Sequence, residues 1–290
     1  MLLNDPTFAV LFKRTIKTVA PYADSIVCIG GCANALYRYH PLASKPWPTY
    51  LGTMDMDWAL PQRLEVPKKT EPLSKLMTRA DFVEEKFGGT DNPVIKYRLG
   101  GDLSPTIKGA EVEFLCPLSG LKGSRGSFAP ASAQIQTGLY AQPLRYLELL
   151  LFRPWQVNMN DIAGLEEVSG LHVRIPNPVS YVMQKVLIRK DRNLQSMAKD
   201  CYYIYEVSIL FRQAMNCLHD EFQAIMGQFP DKWSRDFRSS LSKLFANETL
   251  EGATSAVRVH GSITSSMNGS TRLTPKMVSQ SVQKLIEAVG

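Results

Sequence analysis

The segment LGTMDMDWAL, Leu51 to Leu60, sets two carboxylates two positions apart inside an otherwise apolar run. At the strand period of two, Asp55 and Asp57 leave one face while Met54, Met56 and Trp58 leave the other. Two like charges on one small patch repel, so a positive group is needed to keep both ionised. A chain with this stretch is expected to build a sheet that packs its apolar face on a core and aims an acidic patch at a cation.

The surrounding pattern alternates helix and strand. Phe8, Val10, Leu11, Ile16 and Val19 carry helical spacing, and SIVCIGG reads as a short buried strand ending at the pair Gly30–Gly31. CANALYRYH continues as a helix until the proline-rich HPLASKPWPTY breaks it and leads into the strand of Asp55 and Asp57. PLSKLMTRADFVEEKFG is expected to be a helix. VIKYRLG and AEVEFLCPL are expected to be strands, separated by the turn-rich GDLSPTIKG. GLKGSRGSFAPASAQ reads as a surface loop, and LRYLELLLFRPWQVNM and LHVRIPNP as further strands, with Leu147 to Leu151 equally compatible with a helix. From Pro178 onward apolar residues recur every three or four positions, and the last segment opens on Thr-Pro, a helix start. The expected architecture is α+β: a mixed helix-and-strand domain over 1–175 and an all-helical C-terminal domain over 176–290. The segment GSITSSMNGSTRLTP reads as a low-complexity link within the second.

Partners are constrained by charge. The net charge of +6 and the pI near 9.0 favour acidic partners, nucleic acid and nucleotide phosphates among them. The five cysteines are odd in number and form no CxxC pair, which argues for reduced thiols in a cytoplasmic setting and against a zinc site. The N-terminal segment mixes charges among its apolar residues and lacks a long apolar run, so neither a signal peptide nor a membrane span is expected. His40, His172, His219 and His260 are scattered without metal-ligand spacing and read as ordinary histidines.

Two aspartates on one strand face can coordinate a divalent cation through hard oxygens, as Mg²⁺ commonly takes one or two carboxylates plus substrate phosphates. In AEVEFLCPL, Glu111 and Glu113 share one strand face, opposite Val112, Phe114 and Cys116, and offer a third acid if that strand lies beside the first. Gly30 and Gly31, at a strand-to-helix turn, present bare backbone N–H groups suited to an anion. Thr53 is placed to hydrogen-bond a phosphate, although a strand threonine is usually there for β-propensity.

The order strand, Gly-Gly, helix, strand with Asp-x-Asp, then a later strand with an acid resembles the nucleotidyltransferase superfamily with the DNA polymerase β-like fold, over residues 26 to 116. That resemblance implies Asp55, Asp57 and Glu113 as the catalytic and metal-binding acids, Mg²⁺ or Mn²⁺ as cofactor, and an NTP as substrate. It places the third acid just before FLCP, which favours Glu113 and leaves Glu111 open, either as a structural residue or as a sharer of the third-acid role. Three departures stand out: Cys32 follows the glycine pair where a small hydroxyl residue is usual, glutamate stands where aspartate is more common, and the connection from Gly-Gly to Asp-x-Asp carries the proline-rich insert. The stretch NPVSYVMQKVLIRKDRNLQSMAKDCYYIYEV further resembles the AbiEii-type group, which includes toxins of toxin–antitoxin and phage-defence systems. Its matching residues are Pro178, Lys185, Arg189, Arg192, Lys199 and Asp200. By resemblance Lys185 contacts the triphosphate from the active-site cleft and Asp200 organises the site. Arg189, Lys190 and Arg192 fit a solvated basic helix face equally well. The resemblance implies an enzyme moving NMP to an acceptor hydroxyl, with tRNA or another RNA favoured and an antitoxin protein as a candidate partner. Protein or small-molecule acceptors, or an idle nucleotide- or RNA-binding module, are the alternatives.

Overall fold

The computed structural model describes residues 5–87, 94–100, 110–119, 121, 131–264 and 272–290. The turn-rich 101–109, most of the expected surface loop and the centre of the expected link lie outside them. The chain divides into two compact units, Met1–Tyr39 with Gly52–Pro176, and His40–Leu51 with Asn177–Gly290. The architecture is α+β, a mixed sheet with helices followed by a helical C-terminal region.

In the first unit, helix α1 (Pro6–Val19) starts where Asp5 accepts hydrogen bonds from the amides of Thr7 and Phe8 and Pro6 takes the first turn. Its buried side is Phe8, Leu11, Phe12, Ile16 and Val19; Val10, expected among them, is exposed. Strand β1 (Val27–Ile29) runs into helix α2 (Gly30–Leu36), and β2 (Asp55–Ala59) follows. Next come α3 (Leu73–Arg79), β3 (Phe82–Phe87), β4 (Val94–Leu99) and β5 (Glu111–Pro117). The hairpin β6 (Ala133–Gln136) and β7 (Leu139–Leu144), helix α4 (Leu147–Leu151), and the pair β8 (Trp155–Asn158) and β9 (His172–Ile175) complete the unit.

The main sheet runs β1-β2-β5-β4-β3, with β7 also on β5 and β6 on β7. β2 and β5 are parallel; β1 joins β2 antiparallel, and β4 joins β5 antiparallel. One face is the core: Met56, Trp58, Val112, Phe114 and Tyr97 are fully buried, and the rings of Tyr97 and Phe114 meet edge to face at 5.4 Å. Burial of each such large side chain contributes roughly 1.5–3 kcal/mol. The opposite face changes character along the strands. At its apolar end Val27, Ile29 and Ala59 are covered by Leu147 and Leu150 of α4, with Leu115 packed alongside.

Two sequence readings need correction and one open alternative is decided. The expected helix over 72–88 is two elements: α3 ends at Arg79, Asp81 takes φ +61°, and β3 pairs with β4 from Phe82↔Leu99 to Phe87↔Val94. Cross-strand pairing outweighs the helix propensity of Glu84, Glu85 and Lys86. The β6–β7 hairpin, absent from the sequence reading, turns through Gly138 at φ +73°. Of the two alternatives left open for Leu147 to Leu151, the structure takes the helix, α4.

The second unit holds α5 (Pro178–Leu187), α6 (Leu194–Leu210), α7 (Met215–Gln228), α8 (Asp231–Phe245), α9 (Glu251–Thr264) and α10 (Pro275–Val289). Asn177, Asn193 and Thr274 cap α5, α6 and α10 through their side chains. The proline-rich 40–51 segment is tied to these helices. Tyr202 Oη donates to the Thr49 carbonyl at 2.6 Å, and the amide of Ser44 donates to the carbonyl of Leu210 at 2.6 Å. Among the described residues no helix is long and apolar enough to cross a membrane.

Candidate active site

The acids stand where β2 and β5 begin. The parallel register sets Asp55 beside Glu111 and Asp57 beside Glu113, so all four carboxylates leave the same face of two adjacent strands. Paired positions of neighbouring strands are about 4.8 Å apart, so side chains of that length converge. Asp55 is exposed and Asp57 half-buried, while Met56 and Trp58 between and beyond them are fully buried. The alternation of the sequence is therefore realised within the strand. Met54, assigned to the same apolar row, precedes β2 and is half-buried.

Gly30 adjoins this row because Ile29 of β1 pairs with Asp57. It has φ +65°, and a Cβ built on it would overlap the Asp57 carboxylate oxygen Oδ2. Glycine is thus required twice over, for backbone conformation and for the approach of the acid. Gly31 follows in the first turn of α2. Thr53 lies ahead of the strand, not within it. Its Oγ1 donates to the Asp55 carbonyl at 3.3 Å and accepts from the Asp55 amide at 3.4 Å, a local bend that starts β2.

Sequence reasoning missed Lys96. It pairs with Glu113 across β4 and β5, and its Nζ lies 2.6 Å from Glu111 Oε2 and 2.6 Å from Glu113 Oε1. Arg98 on the same face of β4 donates from Nε to Glu111 Oε1 at 3.1 Å and from Nη1 to Glu85 at 3.0 Å, and its Nη2 also contacts Glu111. Burial alone would raise the Glu111 pKa, but the hydrogen bonds from Lys96 and Arg98 outweigh it and hold the carboxyl below its usual range. Burial also works against the Lys96 ammonium, and the two glutamates reverse that and push its pKa above the ordinary value. The readable signal was Lys-x-Arg in one expected strand and Glu-x-Glu in another, which only a pairing assumption would have joined.

The donor set suits a hard divalent cation: Asp55, Asp57 and Glu113 offer carboxylate oxygens from one sheet face. Among the described residues no three His, Cys, Asp or Glu side chains are already gathered into a cation-holding group.

Lys185 and Asp200 come together in the helical unit. Both side chains are nearly inaccessible, at 7% and 5%, and Lys185 Nζ donates to Asp200 Oδ1 at 2.6 Å. The ammonium also lies 4.7 and 4.9 Å from the ring centres of Tyr181 and Tyr203. Arg192 Nε reaches Asp200 Oδ2 at 3.3 Å, and Arg189 pairs with Glu251 at 2.6 Å. Lys199 is exposed and lines a cavity of about 360 Å³ with Leu51, Leu194, Gln195 and Arg258.

A family model described as Nucleotidyltransferase matches residues 9–227. Curated proteins and solved structures yield no match.

Proposed function

The chain belongs to the nucleotidyltransferase family and is a transferase of nucleoside monophosphate, and from that premise we propose that it works with a divalent cation held by Asp55, Asp57 and Glu113 and delivers NMP to a hydroxyl at an RNA end. The observation that carries the site is the register of Asp57 with Glu113, with Asp55 on the same face. When bound, Mg²⁺ or Mn²⁺ supplies activation of the attacking hydroxyl and neutralises charge on the leaving group.

The residues divide the remaining work. Gly30 and Gly31 give the triphosphate a turn without side chains, and Gly30 lets Asp57 stand close to the backbone. The acceptor oxygen forms a bond to the α-phosphorus as the bond from that phosphorus to the β-bridging oxygen breaks, and pyrophosphate leaves with the electron pair. The hydroxyl proton passes to a carboxylate oxygen of Glu113. The role of Lys185 toward the nucleotide phosphates is proposed on the resemblance alone; in the helical unit its ammonium is held by Asp200 and two tyrosine rings. Thr53, placed beside Asp55, is assigned a hydrogen bond to phosphate.

The net charge of +6 supports an RNA acceptor, tRNA first, because a polyanionic backbone rewards Lys and Arg. The resemblance of Pro178 to Asp200 to the AbiEii-type group supports a toxin role in the cytoplasm with a cognate antitoxin. The test incubates each α-phosphate-labelled NTP and Mg²⁺ with total tRNA and with cell protein, alongside Asp57→Asn. Label in tRNA from the intact protein and none from the variant is the expected result. Label in protein alone would overturn the RNA acceptor, and equal labelling by the variant would overturn the assigned site.

A further inference from the structure

Two glutamates compete for the role of third acid, and the sheet treats them differently. Both oxygens of Glu111 are engaged, Oε2 by Lys96 and Oε1 by Arg98. Glu113 is held through Oε1 by Lys96, which leaves its Oε2 outside that network. Lys96 is the shared member, opposite Glu113 in the register and 2.6 Å from each acid. Its stem starts from a strand whose next residue, Tyr97, is fully buried, so the ammonium is carried on a fixed base.

We propose that Lys96 is a positioning residue that selects Glu113 over Glu111 as the third acid. It clamps one oxygen of Glu113 so that the other faces Asp57, while with Arg98 it neutralises Glu111 and withdraws it from the cation. One ammonium thus sets the orientation of the working acid and silences its neighbour. The inference rests on the proposed cation site.

The test measures Mn²⁺ affinity by electron paramagnetic resonance of the free ion, together with labelled NMP transfer, in the full chain. Lys96→Met removes a positive charge from beside two carboxylates, so Mn²⁺ is expected to bind about tenfold more tightly. Transfer is expected to fall at least tenfold, because Glu113 loses its clamp and Glu111 competes for the ion. Lys96→Arg keeps the charge and is expected to keep wild-type Mn²⁺ affinity. In Lys96→Met/Glu111→Gln the rival acid is neutral, so affinity is expected to return to the wild-type value while transfer stays low. A merely structural lysine would lower the melting temperature and weaken ion binding and transfer together, and that result would overturn the assignment. So would unchanged affinity and transfer in Lys96→Met, given wild-type Mn²⁺ binding that Asp57→Asn abolishes. Absence of Asp57-dependent Mn²⁺ binding in the wild type would instead overturn the cation site itself, and this inference with it.

Discussion

Replacing Gly30 by alanine tests the close approach of Asp57 to the turn. Gly30 has φ +65°, and alanine in that left-handed region costs roughly 1–2 kcal/mol. The added Cβ also overlaps Asp57 Oδ2 and stands 3.2 Å from Asp57 Cγ, so the carboxylate must swing away. A side chain driven about 30° off its rotamer costs about 0.5–1.5 kcal/mol. The total expected loss is about 1.5–3.5 kcal/mol. The Asp57 Cβ is 3.5 Å from the same point, an ordinary contact, so Asp57→Ala should relieve the collision and leave the backbone term. A double-mutant cycle by urea unfolding, followed through Trp58 in the same unit, should give a coupling of about 1 kcal/mol between the two positions. Equal loss from Gly30→Ala in both backgrounds would refute the reasoning, since Asp57 would then have no part in the need for glycine.

Asp55→Asn or Asp57→Asn should abolish the rise in melting temperature that NTP gives with Mg²⁺, a stabilisation of about 2.7 kcal/mol at a hundredfold excess over Kd; a rise retained in both variants would remove these acids from the site. Lys185→Met should destabilise the chain by up to about 3–5 kcal/mol, because the buried Asp200 carboxylate then keeps only the part-exposed Arg192, and Lys185→Met/Asp200→Leu should recover most of it in the same unfolding assay. Burial lowers the His40 pKa from 6.5 to about 4, so the unfolded chain takes up a proton that the folded one refuses. Stability should therefore fall as pH drops from about 6.5 to about 4, and His40→Gln should flatten that part of the curve measured by thermal unfolding.

Local pattern alone was enough for much of the fold. Alternation in DMDWA and EVEFLCP placed the strands and sorted acids from core, because a strand's side-chain direction depends on its own backbone. Helix starts were equally local. Thr274 accepts from the Met277 amide, three residues on, and Pro275 takes the first turn. The glycine pair at the end of β1 was legible for the same reason. The choice of helix or strand over 72–88 was not, since β3 exists through its pairing with β4 and its own composition favours a helix.

What the tertiary structure decided was partnership. Glu111 and Glu113 look alike in sequence; they differ because Lys96 and Arg98 arrive from β4, with Lys96 in register with Glu113. Gly30 owes its second constraint to Asp57, which lies far along the chain and meets it through the β1–β2 register. Lys185 was read as a cation for phosphate, and the fold of α5 against α6 gives it Asp200 and two tyrosine rings. Periodicity fixes which way a side chain leaves its own element, whereas the charge it meets is set by strands and helices brought together across the sequence, which no local pattern encodes.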